Sequence, residues 1–585
     1  MNVGIVGTGP AADAVRAALA DADITLDTIE PDAIGTTDLG VVIDEAGAAV
    51  FDRANDHARE SETPWLAVER GGVGGQAVCE AAVAGFGPET ACYECLCRRV
   101  EANADESNEY EGDDPSEDET GEGDERGIDP ATAWFAGALA GTEARRLCAG
   151  ERSRALGGVI ELPDAERRVL PVPNCECANN EDRDRALARD YEERALDDAL
   201  GRAERALDER VGIVREVGEA ASYPAPYYLA RTGETAGFSD ASAASEAAGV
   251  AGDWDQAFMK ALGEALERYS AGVYRDEAFT RAAADDLDNA VSPSAFVLPE
   301  SVEADANESI PWVHGENLDS GASVHLPAEF VGFPPPERHH GPPITTGLGL
   351  GSSGAAALCS GLYEVIERDA AMVSWYSTFS PLGLAVDDER FATLAARARS
   401  EGLDVQPVLL TQDIDVPVVA VAVERDEWPQ FAVGSATDLD PAAAARSALA
   451  EALQSWMELR AMGPDAAAAA EGAIGRYAET PGVASEFFDA AQRVPAASVG
   501  PDPVPTGADE LGTVVERVTD AGLDSYAARL TPRDIERLGF EAVRVLVPEA
   551  QPLFTDEAYF GERAQRVPRE SGFEPRLDRE FHPYP

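Results

Sequence analysis

The sequence is almost without lysine: of 46 basic residues Lys260 is the single lysine, and arginine supplies the rest. The phosphate loop G-x-x-x-x-G-K-[ST] therefore occurs nowhere, and no strand carries a kinase-type lysine anchor, because Lys260 falls inside a helical run. Positive charge itself is scarce. Against 109 acidic residues it leaves a formal net charge of -63, which repels nucleic acid. The acidic excess is spread along the whole chain, a pattern that fits solvation in high salt better than one acidic binding patch. No apolar run approaches the about 20 residues that span a bilayer, and the N-terminus NVGIVGTGP lacks the basic start of a signal peptide. A salt-adapted cytoplasmic protein without a membrane partner is expected. Eight cysteines in 585 residues are too few for a disulfide scaffold, which in a reducing compartment turns attention to metal binding. No H-E-x-x-H is present, and the only adjacent histidines, His339 and His340, lie in a proline-rich loop. What the chain does have is 44% hydrophobic content, enough for two or three cores.

The opening NVGIVGTGPAADAVRAALA gives a short apolar strand, a G-x-G-x-x-A turn at Gly7, Gly9 and Ala12, and a helical run. This is a Rossmann-like start, with further strands predicted at Leu39–Ile43 and Trp65–Val68. Asp27 or Glu30 stands where a ribose-binding acid would, but packing of the first strand on its helix is the simpler use of such a turn.

Next comes TACYECLCRRV, with Cys92, Cys95 and Cys97, and much later VPNCECANN, with Cys175 and Cys177. Tetrahedral zinc takes four thiolates, and a C-x-x-C knuckle supplies two from one turn. Cys92, Cys95, Cys175 and Cys177 are the expected structural zinc ligands, with Cys97 as an alternative. Cys79, Cys148 and Cys359 read as core residues. Between the clusters, 101–127 is dense in acid and nearly free of apolar residues, and is expected to be a disordered insertion. From about 185 a second α/β or α+β region is predicted, opening with a helix over 190–212. Strands are expected near Ile213, Phe296 and Val418–Val423, and helix-then-strand repeats over 511–554. The final FHPYP is too rich in proline for regular structure.

Three helices share one register. MKALGEALERYSAGVY carries Glu264, Glu267 and Arg268; GLYEVIERDAAMVSWY carries Glu364, Glu367 and Arg368; ARSALAEALQSWMEL carries Glu451 and Gln454. In each, oxygen-bearing side chains at i and i+3 share a face. Leu262, Leu266, Leu362, Ile366, Leu449 and Leu453 are expected in the core, with Ala271 and Ala371 leaving a small-residue surface beside the glutamates. Loops rich in small residues precede each helix. Oxygen ligands in this number suit magnesium bridging protein to nucleotide phosphates, with loop N–H groups and the arginines on phosphate oxygens.

ALGEALERYS, GLYEVIERDA and AEALQ resemble, in order, the three nucleotide-site helices of the YcaO family, of the SagD-like cyclodehydratase type. The likeness runs over 185–585 and includes GIVREV, TTGLGLGSS and TPRDIERLGFEAVRVLVPEAQPLF. PWLAVERGG with GFGPETACYECLCRRV is similar to an E1-like, ThiF-related domain. The resemblance implies a two-domain α/β (α+β) protein. Residues 1–100 would form the Rossmann-like E1-type domain with a cysteine zinc knuckle, 101–127 the acidic insertion, 128–184 the remainder of that domain, and 185–585 the YcaO ATP-binding domain. It implies ATP-dependent phosphorylation of a peptide amide oxygen, most often to cyclise Cys, Ser or Thr to azolines in peptides of the bacteriocin kind. Thioamidation, an accessory role in ribosomal-protein methylthiolation, or a non-catalytic nucleotide-responsive scaffold are the alternatives. By the same resemblance Glu264, Glu267, Glu364 and Glu367 ligate magnesium, Arg268 and Arg368 meet phosphate, Glu451 and Gln454 complete the ATP site, and Pro585 ends a tail that reaches it. A peptide substrate, a homodimer and a flavin dehydrogenase or sulfur-delivery protein are the implied partners. The chain departs from the family pattern at Val250, Lys260, Ala356, Ser360 and Ser447.

Overall fold

Alternating apolar strands and helices in residues 2–70 give, in the computed structural model, four parallel strands, and the chain then turns the sheet antiparallel. Residues 1–104, 129–163, 165–178, 186–470 and 472–585 are described. They fall into two compact units: one takes those up to 182 with 205–216 and 232–239, the other those of 183–204, 217–231 and 240–585. The two short segments in the first unit lie beyond the expected boundary at 184.

In the first unit the strand order is Thr25–Thr28, Asn2–Val6, Leu39–Glu45, Trp65–Arg70, Ala81–Phe86, Gly158–Glu161, Ala165–Arg168. The first four strands are parallel and the later pairings antiparallel. Gly7 has φ 106°, and a Cβ there would stand 2.4 Å from the Ile43 carbonyl oxygen, so glycine is required at the turn. The helix that follows, Pro10–Leu19, packs on Pro130–Cys148, where Gly137 and Gly141 leave no room for a side chain against Ala11 and Val15. The glycine turn thus serves close packing, while Asp27 and Glu30 are exposed. The segment expected to be disordered begins inside the helix Tyr93–Ala102, and from 105 it lies outside the described residues.

The second unit contains a six-stranded sheet, a five-stranded sheet and the larger part of a three-stranded sheet of Val214–Ala221, Tyr227–Thr232 and Glu246–Val250. Two sequence expectations fail, one for a tertiary reason and one for a local one. The helix over 190–212 shrinks to Leu196–Ala203, because the Asp190 carbonyl accepts from Ala355 N and Arg189 and Arg194 donate to the Leu318 and Gly539 carbonyls. The strand near Phe296 is a 3-10 turn, Pro293–Ala295, in which Ser292 Oγ accepts the Ser294 N–H. The strands Val418–Glu424 and Glu541–Leu546 form as predicted.

Three long helices, Trp254–Ala271, Gly354–Trp375 and Pro441–Met462, each pack on the strand just before them: Glu246–Val250, Leu348–Gly351 and Phe431–Thr437. These strands stand where small-residue loops were expected. The apolar register holds, since all six predicted leucine and isoleucine positions are buried. Ala271 and Ala371 are buried as well, so the small-residue surface is core packing and not an open face. At the far end of the second helix, Arg563 is enclosed by Asp369 and Asp413 with paired hydrogen bonds of 2.6–3.0 Å, and Asp369 also accepts Gln551 N at 2.7 Å.

Candidate functional site

The strand and helix of each pair touch through glycine, two of them, Gly349 and Gly351, in the second pair. A Cβ on Gly249 would lie 2.2 Å from Ala261 N, on Gly349 2.3 Å from the Ala357 carbonyl oxygen and 2.9 Å from Gly361 N, and on Gly434 2.4 Å from Ala452 N. Ala261, Gly361 and Ala448, the last 2.6 Å from the same Gly434 position through its carbonyl, each precede the first glutamate of their helix by three residues. The helix ends are fixed alike: Asp253, Ser353 and Asp440 accept the N–H of Gln256, Ala356 and Ala442. The shared register of the sequence is therefore a shared geometry.

Each first glutamate returns to its own strand. Ala248 N donates to Glu264 at 3.2 Å, Gly347 N to Glu364 at 3.0 Å, and the Ser435 N–H to Glu451. Ser435 Oγ also donates to Glu367 at 2.7 Å, which ties the second helix to the third strand. Burial first, then repulsion from Glu364, pushes Glu267 up to about 8; burial first, then repulsion from Glu451, does the same to Glu367. Glu451 shifts upward for the first of these reasons, moderated by Lys260 and Arg368. The acids of the three helices thus feel one another across one region.

Cations lie among them. Arg268 Nη2 donates to Glu264 at 3.2 Å, while its Nη1 is buried with no hydrogen-bond partner. Arg368 Nε stands 4.0 Å from Glu364. Burial opposes the charge on Arg368, and Glu367, Glu364 and Glu451 outweigh it. Arg544, which the sequence reading missed, donates to the carbonyls of Thr345 and Ile344 at 3.0 and 2.9 Å and faces Glu364 and Glu267; burial lowers it to about 10. Its signal was available, since an arginine between Val543 and Val545 in a buried strand needs a partner. The Gln454 amide donates to Glu458 at 2.9 Å, and Glu458 also accepts from Tyr227.

Beside this cluster lies a cavity of about 440 Å³, lined by Phe333, Pro342, Thr346, Arg368, Tyr559 and Pro585 among others. The tail that leads to it is ordered by side chains: the Glu580 carbonyl accepts from Trp375 Nε1, the Phe581 carbonyl from Tyr477, and the Pro585 carbonyl from Arg368 Nη1 at 3.3 Å.

In the first unit Cys92, Cys95, Cys175 and Cys177 bring their sulfurs within 4.8 Å of one another. Cys92 precedes the helix Tyr93–Ala102 and Cys95 lies in its first turn, where the helix dipole favours thiolate. Val172 N donates to Cys95 at 3.3 Å. Crowding by Cys177, Cys92 and Cys95 drives the Cys175 thiol upward, so four thiolates need a cation among them. The donor set fits zinc. Cys97 is outside the quartet, and Cys79 and Cys148 are half-buried where core positions were expected; Cys359 is buried. Among the described residues the quartet is the one group that gathers three or more such ligands this tightly, and the glutamates stand wider apart.

Comparison with known proteins follows the same division. The chain is similar to a heterocyclase solved with substrate and cofactor, with TM-score 0.74 and 19% identity over 98% of this chain and 83% of that one. It is also similar to the heterocyclase TruD, with TM-score 0.65 and 20% identity over 100% and 84%. An uncharacterized protein of Methanothermobacter thermautotrophicus is 34% identical over 34% of this chain and 54% of its own length. The chain spans about half the length of the curated relatives it matches. Residues 248–551, which hold all three glutamate helices, match the family described as YcaO cyclodehydratase, ATP- and Mg2+-binding, and to that family this chain belongs.

Proposed function

We propose that the protein uses ATP to activate a backbone amide of a peptide, with cyclodehydration of a Cys, Ser or Thr residue to an azoline as the outcome. The observation that carries this is the convergence of Glu264, Glu267, Glu364, Glu367 and Glu451 from three separated segments onto Arg268, Arg368 and Arg544. Two features fit a magnesium-bound triphosphate. Glu267 and Glu367 are pushed up by burial and by each other's neighbours, a cost that a divalent cation removes. Arg268 Nη1 is a buried donor without an acceptor, which a phosphate oxygen would satisfy. The wide spacing of the glutamates suits magnesium, which keeps phosphate and water ligands, better than an all-protein cage.

Glu264, Glu267, Glu364 and Glu367 would hold magnesium, Arg268 and Arg368 phosphate, and Glu451 with Gln454 the remaining side. ATP, when bound, supplies the phosphoryl group that turns an amide oxygen into a leaving group. The chain's own part is to position and to neutralise charge. The strand N–H groups and Ser435 fix the carboxylates, Arg368 fixes Pro585 at the cavity edge, and the cavity takes the peptide, with Pro585 assigned a catalytic place beside the amide. Cys92, Cys95, Cys175 and Cys177 hold structural zinc in the first unit. The peptide substrate and a second copy of the chain are the partners, and the spread of acidic residues supports a salt-adapted cytoplasmic enzyme.

The test is phosphate release in molar KCl with Cys-, Ser- and Thr-containing peptides, followed by mass spectrometry of the peptide. Loss of water coupled to phosphate release is expected. Exchange of oxygen for sulfur would transfer the assignment to thioamidation, and ATP binding without turnover on any peptide would reduce the protein to a nucleotide-responsive scaffold.

A further inference from the structure

We infer that Lys260 is a nucleotide-phosphate ligand that the charge pattern of this chain has set apart for that task, an inference that rests on the ATP reading above. Lys260 is the single lysine in the sequence, and it lies on the first glutamate helix, Trp254–Ala271. Its position is one turn before Glu264 and two before Glu267, so by helical register it shares their face. The side chain is exposed. Across the site it attracts Glu451 of the third helix.

The arginines at the site behave differently. Arg268 pairs with Glu264 and Arg368 with Glu364, each one turn back on its own helix. A guanidinium is a planar group with five donors, whereas an ammonium is a compact point charge on a flexible stem. Among the described residues no carboxylate stands within salt-bridge distance of Lys260. It therefore offers three donors from an exposed position on the helix face that carries Glu264 and Glu267. An arginine there, with its longer reach and planar fork, is the group more readily drawn to a carboxylate.

The single lysine makes the test clean. Acetylation of the intact protein with an N-hydroxysuccinimide ester, with and without Mg-AMPPCP, labels one side chain, and the amino terminus is the internal control. Protection of Lys260 by about tenfold, with the amino terminus unchanged, is expected. K260M should weaken Mg-ATP binding by about tenfold or more, the loss of one charge-assisted hydrogen bond. Its melting temperature should not change, because the side chain is exposed. K260R should recover little of the affinity, since its charge is drawn into carboxylate pairing. Equal labelling in the two states, with calorimetry showing that the wild type binds Mg-AMPPCP, overturns the inference while the ATP reading stands. A wild type that binds no nucleotide brings down the ATP reading itself.

Discussion

The cysteine quartet and the glutamate cluster are both assembled from distant segments, yet they are built on opposite plans. The four sulfurs lie within 4.8 Å of one another, around one helix start and one turn, so the protein brings four thiol donors together by itself. The carboxylates come from three helices, stand wider, and four of them are held by the N–H groups of Ala248, Gly347 and Ser435 and by the Ser435 hydroxyl. The first plan closes a fold, and the second leaves room for a ligand to finish the coordination.

The sharpest break of this contrast is chelation or Cys95→Ser, which should remove stoichiometric zinc and collapse the cooperative melting of the first unit. Metal analysis and calorimetry read both, and an unchanged transition would make the quartet a set of free thiols. Next in size, Glu367→Ala should lower ATP turnover by about 100-fold or more while melting changes little, since a truncated buried acid relieves repulsion as it removes a ligand. Arg563→Met leaves the buried Asp369 and the half-buried Asp413 without their partner and should destabilise the second unit by about 3–5 kcal/mol in denaturant titration.

The smallest effect is on pH dependence. Glu267 and Glu367 have folded pKa values raised from 4.5 to about 8, so the folded state binds more protons than the unfolded state between these limits. Stability of the metal-free protein should therefore be full below about 4.5 and fall as pH rises toward 8. Glu367→Gln should flatten that slope, and Mg-ATP should abolish it. A slope of the opposite sign would mean that both acids are already compensated without a cation.

What could be read from the sequence was whatever depends on local spacing. The i and i+3 glutamates, the six apolar positions and the C-x-x-C knuckle obey helical and turn periodicities, and all are found where periodicity puts them. What could not be read depends on neighbours distant in sequence. Residues 190–195 lose their helix to hydrogen bonds made with Ala355 and through Arg194 to Gly539. Ala271 and Ala371 look like a ligand-facing stripe until their neighbours bury them. Ser435 and Arg544 act on helices far away in the chain, and Gln454 pairs with Glu458, one turn further along its own helix. Small residues alone could not separate a phosphate loop from a strand that a helix must touch.

That last point bears on how the protein tolerates change. With Gly249, Gly349 and Gly434 each in backbone contact with a helix, the distance of each acid-bearing helix from its own strand is set by main-chain thickness. One added methyl group at any of the three would wedge a helix outward, and an engineer seeking new specificity should leave these three positions untouched and vary the cavity rim.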